Sequence, residues 1–475
     1  MTDLAHLKDQ YDLAVVGAGP AGLAAATLGA RFGLTTVLFD EQATPGGQIY
    51  RAVTETPLRE RALLGEDYWQ GAKLADGFIK GSAQYVPGAT VWSISHDREI
   101  GVSAGGKARL LTARHVILAT GALERPFPIT GWTLPGVMTC GAAQILLKSS
   151  GLGPDGKVVL AGTGPLLWLL AAQYRRAGVR IEAMLETTPR RNWLAALPYL
   201  PKFLQSRYAA KGRALLREVK ASTRIERGVG AVAARGDGRL REVAYRVGRG
   251  REIRLEADAL LLHQGVVPNI NLASAIGCKH HWDETQLCFT PEIDEWGRSS
   301  IPGVSIAGDG GGIAGAEAAT ESGRLAALDA AWQLGKIDDF ARDRHAGPYR
   351  EALAAALYGR RFLDLLYRPA VRFRHPAGDT LVCRCEEVTA EQVLDAVKGG
   401  AVGPNQLKAF LRCGMGPCQG RLCGLTVTEL IAKARKVAPD EIGYYRLRPP
   451  VKPITVAELA SIPQSDAARK AVVRG

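Results

Sequence analysis

The sequence predicts an α/β fold with two doubly wound units, the second inserted in the first, followed by a small, mainly helical domain. Three observations lead to this prediction. An apolar, strand-like run enters a glycine-rich turn at residues 13–22 and again at 157–165. A similar strand–glycine segment at 304–312 follows the second unit, so the first unit is expected to resume there. Five of the eight cysteines then lie close together, between residues 383 and 423.

The composition excludes several classes of protein. The 475 residues are 47% apolar and 23% charged, which is typical of folded domains and not of a disordered chain. The net charge is +13, and residues 175–227 hold 13 Lys or Arg against four Glu. No nucleic-acid motif accompanies this charge, so we expect a solvated basic face or a docking surface for an acidic partner or anionic lipid, and no nucleic-acid partner.

The chain shows no signal for secretion or membrane insertion. No basic segment followed by an apolar one opens it, and no apolar run approaches the roughly 20 residues of a membrane-spanning helix. Eight cysteines in a chain of this length do not form a disulfide scaffold. We therefore expect a cytoplasmic protein, either free or peripheral at the inner face of the membrane.

The first glycine turn has the full context of a dinucleotide-binding fingerprint. The apolar run 13–16 leads into Gly17-x-Gly19-x-x-Gly22, an alanine-rich helix follows, and a second strand ends in acids. In this pattern the glycines allow a tight turn, close approach to a pyrophosphate and close packing of helix on strand, and the acid accepts from ribose hydroxyls. We therefore predict a dinucleotide or adenine-nucleotide site. Its candidate residues are Gly17, Gly19, Pro20, Gly22, Asp40 and Glu41.

The second glycine turn departs from this pattern. A strand enters Gly162-x-Gly164, but Leu167 stands where the third glycine would be. A bulky side chain there holds the helix away from the turn and crowds a pyrophosphate. Glu186, at the end of the next strand, suits a 2′-OH but offers no positive charge to a 2′-phosphate. We predict a structural relic of a nicotinamide site.

Two further turns follow apolar strands. One ends at Thr120 and Gly121, before the second unit, and the other contains Gly308 and Asp309, after it. Asp309 suits a hydrogen bond to a ribityl or ribose chain, and the alternative is a helix N-cap. All four residues are candidates for the first nucleotide site.

The cysteine-rich segment has the donors of a metal or iron–sulfur centre. Cys383 and Cys385 form a Cys-x-Cys pair, and Cys413, Cys418 and Cys423 follow at even spacing in glycine-rich loops. Four thiolates suit either Zn²⁺ or a [2Fe–2S] cluster. The Cys-x-Cys pair argues against a zinc ribbon, whose ligands come as Cys-x₂-Cys, and so favours iron–sulfur. Spacing alone does not decide which four of the five cysteines are ligands.

These segments together resemble a known family. The resemblance covers almost the whole chain and is carried, in order, by DEQATPGGQIY, ATGALERPFPITGWTLPGVMTCGAAQ, HQGVVPN, DEWGRSSIPGVSIAGDGGGIAGAEAA, CRCEEVT and GMGPCQGRLC. The chain resembles the large α subunit of heteromeric flavin-dependent amino-acid and imino-acid dehydrogenases. That family includes D-hydroxyproline dehydrogenase, octopine/nopaline oxidase and hydrogen cyanide synthase.

The resemblance implies a flavoprotein fold of the thioredoxin-reductase type, followed by a domain like the bacterioferritin-associated ferredoxin. It implies FAD at the first glycine turn, or ATP there with FMN at a subunit interface. The residues that match the family's isoalloxazine-contacting segment are Gly46, Gly47 and Gln48. Those that match its [2Fe–2S] motif are Cys383, Cys385, Cys418 and Cys423. The sequence lacks the redox Cys-x-x-Cys of the reductases, since Cys140 stands alone, so disulfide reduction is not the expected reaction.

Motifs and resemblance together divide the chain into five parts. We predict a FAD- or nucleotide-binding domain at 1–150 and 290–345, and a second, NAD(P)-binding-like domain at 151–289. A hinge at 346–375, a [2Fe–2S]-binding domain at 376–440 and an extended docking tail at 441–475 complete the prediction.

The resemblance implies an electron-transfer role. In this family a D-amino-acid-oxidase-like β subunit oxidises the substrate, so we expect no catalytic residue on this chain. The predicted function is a flavo-iron–sulfur subunit of a multisubunit amino/imino-acid dehydrogenase or oxidase acting on CH–NH or CH–NH₂ donors. It would relay electrons from the partner's flavin to an acceptor such as the respiratory chain, and a small ferredoxin-like γ subunit is a further expected partner. The alternatives are a stand-alone NAD(P)H-dependent flavin reductase, a hydrogen cyanide synthase subunit, and an iron–sulfur sensor without turnover.

Overall fold

A computed structural model describes residues 4–463 of the chain. Strands and helices alternate through the first two thirds, and helices dominate the remainder. The strands are β1 (Gln10–Val16), β2 (Thr36–Asp40), β3 (Gln84–Pro87), β4 (Thr90–Ile94), β5 (Glu99–Ala104), β6 (Lys107–Leu118), β7 (Ala122–Glu124), β8 (Val137–Thr139), β9 (Val158–Thr163), β10 (Ile181–Glu186), β11 (Ile225–Arg227), β12 (Val229–Arg235), β13 (Glu242–Val247), β14 (Ile253–Glu256), β15 (Ala259–Gln264), β16 (Val266–Pro268), β17 (His280–Asp283), β18 (Cys288–Pro291), β19 (Val304–Ile306), β20 (Leu381–Cys383) and β21 (Val388–Thr389). The helices are α1 (Pro20–Arg31), α2 (Arg61–Leu64), α3 (Glu66–Ile79), α4 (Cys140–Ser150), α5 (Pro165–Arg176), α6 (Arg190–Ala196), α7 (Leu200–Leu204), α8 (Arg207–Lys220), α9 (Asn271–Ile276), α10 (Ala316–Gln333), α11 (Asp339–Leu357), α12 (Arg360–Leu366), α13 (Val371–Arg374), α14 (Ala390–Lys398), α15 (Pro404–Leu411), α16 (Gly424–Arg435), α17 (Pro439–Ile442) and α18 (Val456–Ala460).

The first sheet carries the first glycine turn at the carboxyl ends of its parallel strands. Its order is β3-β2-β1-β6-β5-β4, and β19 lies parallel to β6. Because β1 pairs in parallel with both β2 and β6, the turn that follows β1 lies between the ends of its two neighbours. The return of the chain to this sheet at β19 follows the inserted second unit.

Helix α1 packs unusually closely on α10. A β-carbon added at Gly323 would lie 2.1 Å from the carbonyl oxygen of Ala21, so only glycine fits there. Alanine-rich surfaces on both helices allow the same close approach. The contact brings the turns after β1 and β19 to one edge of the sheet.

The second sheet has the order β11-β10-β9-β15-β8, and a three-stranded antiparallel sheet, β12-β13-β14, accompanies it. Helix α5 connects the parallel neighbours β9 and β10. Strand β8 joins this sheet through β15, although it precedes residue 151, where we predicted the second unit to begin. Two doubly wound units, one inserted in the other, confirm the predicted α/β class.

The cysteine-rich region folds as a small, mainly helical domain with its own buried core. A β20–β21 hairpin precedes α14, α15, α16 and α17. A capping box formed by Thr389 and Gln392 starts α14. The preceding segment, predicted as a hinge, contains α12 and α13 and the C-terminal half of α11.

The chain then runs back along the first sheet. The Val451 N–H donates to the Trp92 carbonyl at 2.9 Å, and the Ala108 N–H donates to the Ser461 hydroxyl at 2.8 Å. These contacts lie in the predicted docking tail, of which residues 464–475 lie outside the described residues. Within residues 4–463, no helix is both long and apolar enough to span a bilayer.

Candidate functional site

The first glycine turn is tight on its inner side and open towards the start of α1. A β-carbon on Gly17, whose φ is +106°, would lie 2.4 Å from the Ala119 carbonyl oxygen, and one on Gly22 would lie 1.8 Å from the Gly17 carbonyl oxygen. At Gly19 a β-carbon would meet only the Gly47 Cα, at 3.9 Å. The turn therefore keeps backbone N–H groups and the α1 N-terminus accessible to a pyrophosphate.

The two acids at the end of β2 point in different directions. Asp40 accepts from the Ala18 N–H at 2.5 Å and from the Gln42 N–H at 2.7 Å, so its carboxylate lies against the glycine turn. Burial raises the pKa of Asp40, although these N–H donors act against the shift. Glu41 instead pairs with Lys452 of the tail at 2.8 Å. Of the two candidates, the structure brings only Asp40 to the turn.

The segment containing Gly46, Gly47 and Gln48 is held over the same turn. The Gly46 N–H donates to the Ala18 carbonyl at 2.8 Å. From α4, the buried Lys148 ammonium donates to the Gln48 carbonyl at 3.3 Å, to the Ile49 carbonyl at 2.8 Å and to the Gln144 side chain at 2.8 Å. Burial, and secondarily the Arg51 charge, lower the pKa of Lys148 to about 7.

Arg51 is a buried cation beside this segment. It donates to the Gln48 side chain at 2.9 Å, while its Nε finds no hydrogen-bond partner among the described residues. Burial lowers the pKa of Arg51, and the Asp40 carboxylate opposes that shift. The first glycine turn therefore has an acid, Asp40, and a nearby positive charge, Arg51, and contact of Asp40 with a ribose stays a prediction.

The turns after β6 and β19 converge on the same edge of the sheet. A β-carbon at Gly310 would lie 3.3 Å from the Thr120 hydroxyl oxygen and 3.6 Å from the Gly121 nitrogen. Asp309 accepts from the N–H groups of Ala314 and Gly315, each at 2.9 Å, just before α10. The Gly308 N–H donates to the Ser322 hydroxyl at 2.8 Å. Thr120, Gly121, Gly308 and Asp309 thus lie together, and their contact with a cofactor stays a prediction.

The second glycine turn is filled by the protein itself. Leu167 is fully buried in the core beneath the turn. A β-carbon on Gly164 would lie 3.3 Å from His263 Nε2, so an imidazole occupies the side where the first turn has only Gly47. His263 is fixed there by Glu124, whose carboxylate lies 2.6 Å from His263 Nδ1.

The end of β10 beside this turn is closed as well. Glu186 accepts from the Thr188 N–H at 3.1 Å, and burial raises the pKa of Glu186. The Asn192 amide donates to the carbonyls of Leu366 and Arg368, at 2.9 and 2.8 Å, which holds the α12 segment over this edge. The Glu186 carboxylate and the Asn192 amide therefore already have partners within the protein.

All five clustered cysteines come together in the small domain, in two groups. Cys385 and Cys418 share a side-chain hydrogen bond. The Tyr445 hydroxyl, which is buried, donates to Cys413 Sγ at 3.5 Å. In the other group three buried sulfurs lie within 4.8 Å of one another, those of Cys383, Cys413 and Cys423. Five neighbouring thiols, three of them buried, fit the donor set of an iron–sulfur cluster, and the choice of four ligands among the five stays a prediction.

A buried ionic contact joins the small domain to the segment that precedes it. Glu429 of α16 pairs with Arg374 of α13, and the Arg125 charge also faces it. Burial raises the pKa of Glu429, and the two arginines act against that shift. The Trp132 indole donates to the Leu381 carbonyl at 2.8 Å next to this contact. Such a pair is costly to break because one charge would be left buried and unpaired.

A short chain of bonds connects the first nucleotide site with the cysteine pocket. The Asn269 N–H donates to the Gly121 carbonyl at 2.9 Å. Two residues later, the Asn271 amide donates to the Gln419 carbonyl at 3.1 Å, and Gln419 directly follows Cys418. The connection between β16 and α9 in the second unit therefore contacts both the first nucleotide turn and the cysteine pocket.

Sequence reasoning missed Lys148, Arg51, Asn271 and Tyr445. Lys148 could have been noticed as a lone cation in an otherwise apolar helix. Tyr445 lies beyond residue 440, where the predicted cluster domain ends, and Asn271 lies two residues beyond the recognised segment HQGVVPN. Nothing in the pattern around Arg51 indicates that it is buried.

Fold and site define a flavoprotein oxidoreductase with an appended iron–sulfur domain. The chain belongs to the pyridine nucleotide-disulphide oxidoreductase family, whose model matches residues 11–323. A BFD-like [2Fe-2S] binding domain matches residues 381–433. These matches support FAD at the first glycine turn and a [2Fe–2S] cluster in the small domain, and they confirm the fold class predicted from the sequence.

Individual relatives agree with this assignment. An opine oxidase subunit of Rhizobium meliloti is 46% identical, over 98% of this chain and 90% of that protein. The hydrogen cyanide synthase subunit HcnB of Pseudomonas protegens is 31% identical, over 95% of this chain and 97% of that protein. The crystal structure of L-proline dehydrogenase from P. horikoshii superposes with a TM-score of 0.71 at 19% identity, covering 95% of this chain and 79% of that one. The resemblance recognised in the sequence is thereby confirmed.

Proposed function

We propose that this chain is the electron-transfer subunit of a multisubunit oxidase or dehydrogenase acting on amino or imino acids, of the opine oxidase type. The relatives by name are subunits of opine oxidase and hydrogen cyanide synthase, which supports a role within a heteromeric assembly. In this proposal a partner subunit oxidises the CH–NH group of the substrate to C=N. The two electrons then pass through this chain to an acceptor such as the respiratory chain.

The observation that carries the proposal is the connection between the two candidate cofactor sites. Gly121 at the first nucleotide turn and Gln419 at the cysteine pocket are joined through Asn269 and Asn271. FAD accepts electrons in pairs whereas a [2Fe–2S] cluster passes them singly, so neighbouring sites of these two kinds form a relay. The buried pair of Glu429 and Arg374 would hold the small domain against α13, because breaking it leaves a charge buried and unpaired.

The residues of this chain would bind and orient the cofactors. Asp40 would accept from the ribose, the backbone around Gly19 would face the pyrophosphate, and Lys148 would hold the segment 46–48 against the isoalloxazine. Cys140 is fully buried, and burial raises its thiol pKa well above the usual value, so it is unsuited to disulfide exchange. These features suit a relay better than a disulfide reductase.

The partners that fit the proposal are a D-amino-acid-oxidase-like β subunit, which would hold the substrate, and a small ferredoxin-like γ subunit. The test is native mass spectrometry of the assembly purified from its own host, combined with anaerobic titration by an opine or imino acid. We expect a second flavin-containing subunit, FAD on this chain, and reduction of the cluster by substrate in the assembly but not in the isolated chain. Steady substrate turnover by the isolated chain would contradict the proposal, and ATP in place of FAD would reassign the first site.

We further propose that Cys383, Cys385, Cys418 and Cys423 hold the cluster and that Cys413 is a neighbouring thiol. The serine variant of Cys413 should then keep the visible absorption and the reduced-state EPR signal, whereas the serine variant of Cys418 should lose them. The second variant serves as the matched control because both cysteines lie in the same loop region. Loss of the cluster in Cys413→Ser, with retention in Cys418→Ser, would make Cys413 a ligand instead.

A further inference from the structure

The segment after β10 presents an exposed apolar stripe. Helix α6, the turn at 197–199 and α7 form one nearly continuous helical stretch over residues 190–204. Its outer side chains are apolar and strongly exposed: Trp193 at 56%, Leu194 at 75%, Leu197 at 57% and Leu204 at 56%. Trp193, Leu197 and Leu204 are spaced by four and seven residues and so lie on one side of a helix, with Leu194 beside them. One edge of the Trp193 ring contacts Phe362 of α12, with ring centroids 6.1 Å apart, while more than half of the side chain stays exposed.

The opposite side of the same stretch is already packed. Phe203 stacks on Phe362 of α12 with ring centroids 4.3 Å apart, and Ala196 is buried in the same cluster. The Asn192 amide bonds to two carbonyls of the segment that follows α12. A helix that is apolar on both sides can bury a second surface, and residues 4–463 cover only the inner one.

The charge around the stripe has one sign. Residues 187–217 contain seven Lys or Arg and no Asp or Glu. Arg190, Arg191 and Lys202 flank the stripe, are exposed, and pair with no carboxylate of residues 4–463. Arg207 and Lys211, further along, are instead neutralised by Glu317 and Asp67. The three flanking cations are therefore available to an anionic surface.

We propose that this stripe docks the protein on an anionic lipid bilayer. A Trp and three Leu beside unpaired Arg and Lys have the composition of a helix that lies in the membrane interface. The apolar side chains would enter the boundary between headgroups and acyl chains, and Arg190, Arg191 and Lys202 would meet lipid phosphates. The inference is independent of the proposed electron-transfer function.

Phe340 is an exposed apolar residue that is not accompanied by unpaired cations. It is 75% exposed near the start of α11, like Leu194, but the nearby Arg342 pairs with Asp339 and Asp343. The charges around Phe340 are therefore balanced, and anionic lipid has no net positive surface to meet there. The variant Phe340→Ser is therefore the matched control for a change in the stripe.

The test is flotation of the natively purified protein with vesicles of phosphatidylglycerol and phosphatidylcholine, and with vesicles of phosphatidylcholine alone. We expect binding to the anionic vesicles only, a loss of at least about tenfold in Trp193→Ser/Leu194→Ser, and no change in Phe340→Ser. Replacement of Arg190, Arg191 and Lys202 by Gln should weaken binding roughly 100-fold at low salt, since each cation near the surface contributes about 1 kcal/mol. This second variant tests the proposal even if the first fails to fold.

Two results would overturn the proposal. One is a flotation result that does not depend on the stripe: the native protein fails to float, or it floats equally with both variants. The other is loss of a subunit from the assembly in Trp193→Ser/Leu194→Ser by native mass spectrometry, which would assign the stripe to a protein interface.

Discussion

The two glycine turns start from the same strand–turn–helix plan and end in opposite states. In the first, Gly19 faces only the backbone of Gly47, where a β-carbon would lie 2.7 Å from the Gly19 Cα, and the third glycine lets α1 pack against the turn. In the second, Gly164 faces the His263 imidazole, and the fully buried Leu167 takes the place of the third glycine. The same backbone plan therefore supports a nucleotide site in one unit and a filled core in the other.

The comparison teaches that the residues around a glycine turn decide whether the turn can bind a nucleotide. Asp40 and Glu186 are strand-end acids whose pKa values are both raised by burial. Asp40 is half-buried beside the first turn, however, whereas Glu186 is buried near Tyr367, in the segment that Asn192 ties to the carbonyl of Leu366. The second unit instead contacts the cysteine pocket, because the amide of its residue Asn271 donates to the Gln419 carbonyl.

The largest expected effect is at the third glycine of the first turn. In Gly22→Ala the new β-carbon would lie 1.8 Å from the Gly17 carbonyl oxygen, so α1 must move away from the turn. We expect complete loss of FAD from the purified protein and a decrease in the free energy of unfolding of about 3 kcal/mol or more. Flavin absorbance and urea denaturation measure the two effects.

A glycine-to-alanine change at the second glycine of the other turn provides the control. Gly164→Ala places a side chain at φ +112° and ψ +162°, 3.3 Å from His263 Nε2, which should cost about 1–3 kcal/mol of stability. FAD content should stay at the native level because no cofactor binds there. Loss of FAD in Gly164→Ala would show that the two turns are not independent.

The next effect concerns nicotinamide cofactors. Because His263 and Leu167 fill the second turn, we expect NADH and NADPH to reduce the flavin at least about 100-fold more slowly than dithionite does. Anaerobic stopped-flow absorbance with millimolar nucleotide makes the comparison. Flavin reduction by either nucleotide at a rate that sustains turnover would show that the second turn also binds a nucleotide. It would favour a stand-alone reductase.

The sequence predicts the state of the first turn better than that of the second. The pattern Gly17-x-Gly19-x-x-Gly22 defines the first because its constraints are local, between neighbouring residues of one strand and one helix. The missing third glycine predicts that the second is defective, but not that His263, about a hundred residues later, fills it. Contacts between segments so distant in sequence leave no periodic signal, and for the same reason neither Asn271 nor Tyr445 could be assigned a role.

A smaller effect is expected at the link between the first turn and the cysteine pocket. Asn271→Leu keeps the volume of the side chain but removes the 3.1 Å hydrogen bond to the Gln419 carbonyl. We expect cluster reduction by substrate in the assembly to slow about three- to tenfold, with unchanged FAD and iron content. Freeze-quench EPR measures the rate.

A matched variant within the small domain is the control for this link. The Asn405 side chain accepts from the Arg446 N–H at 2.9 Å, so Asn405→Leu disturbs a similar hydrogen bond that does not face the first turn. It should leave the transfer rate unchanged. An equal slowing in both variants would mean that Asn271 acts through the stability of the small domain and not through the link.

The last expected effect is the dependence of stability on pH that Lys148 gives to the first turn. Lys148 holds the segment 46–48 over the first turn, and its pKa falls from 10.5 to about 7 on folding because of burial. Between these two pH values the unfolded chain binds more protons than the folded one, so the stability of the folded state rises with pH, by at most about 1.4 kcal/mol per pH unit. Below pH 7 Lys148 is protonated in both the folded and the unfolded state, and its contribution to the slope vanishes.

The variant Lys148→Met should therefore lose part of the rise in the free energy of unfolding that the native protein shows between pH 7 and 9.5 in urea denaturation. The control variant Lys80→Met, at an exposed lysine, should keep that rise. Equal slopes in the native protein and Lys148→Met would show that the lysine is not buried as a cation against the first turn.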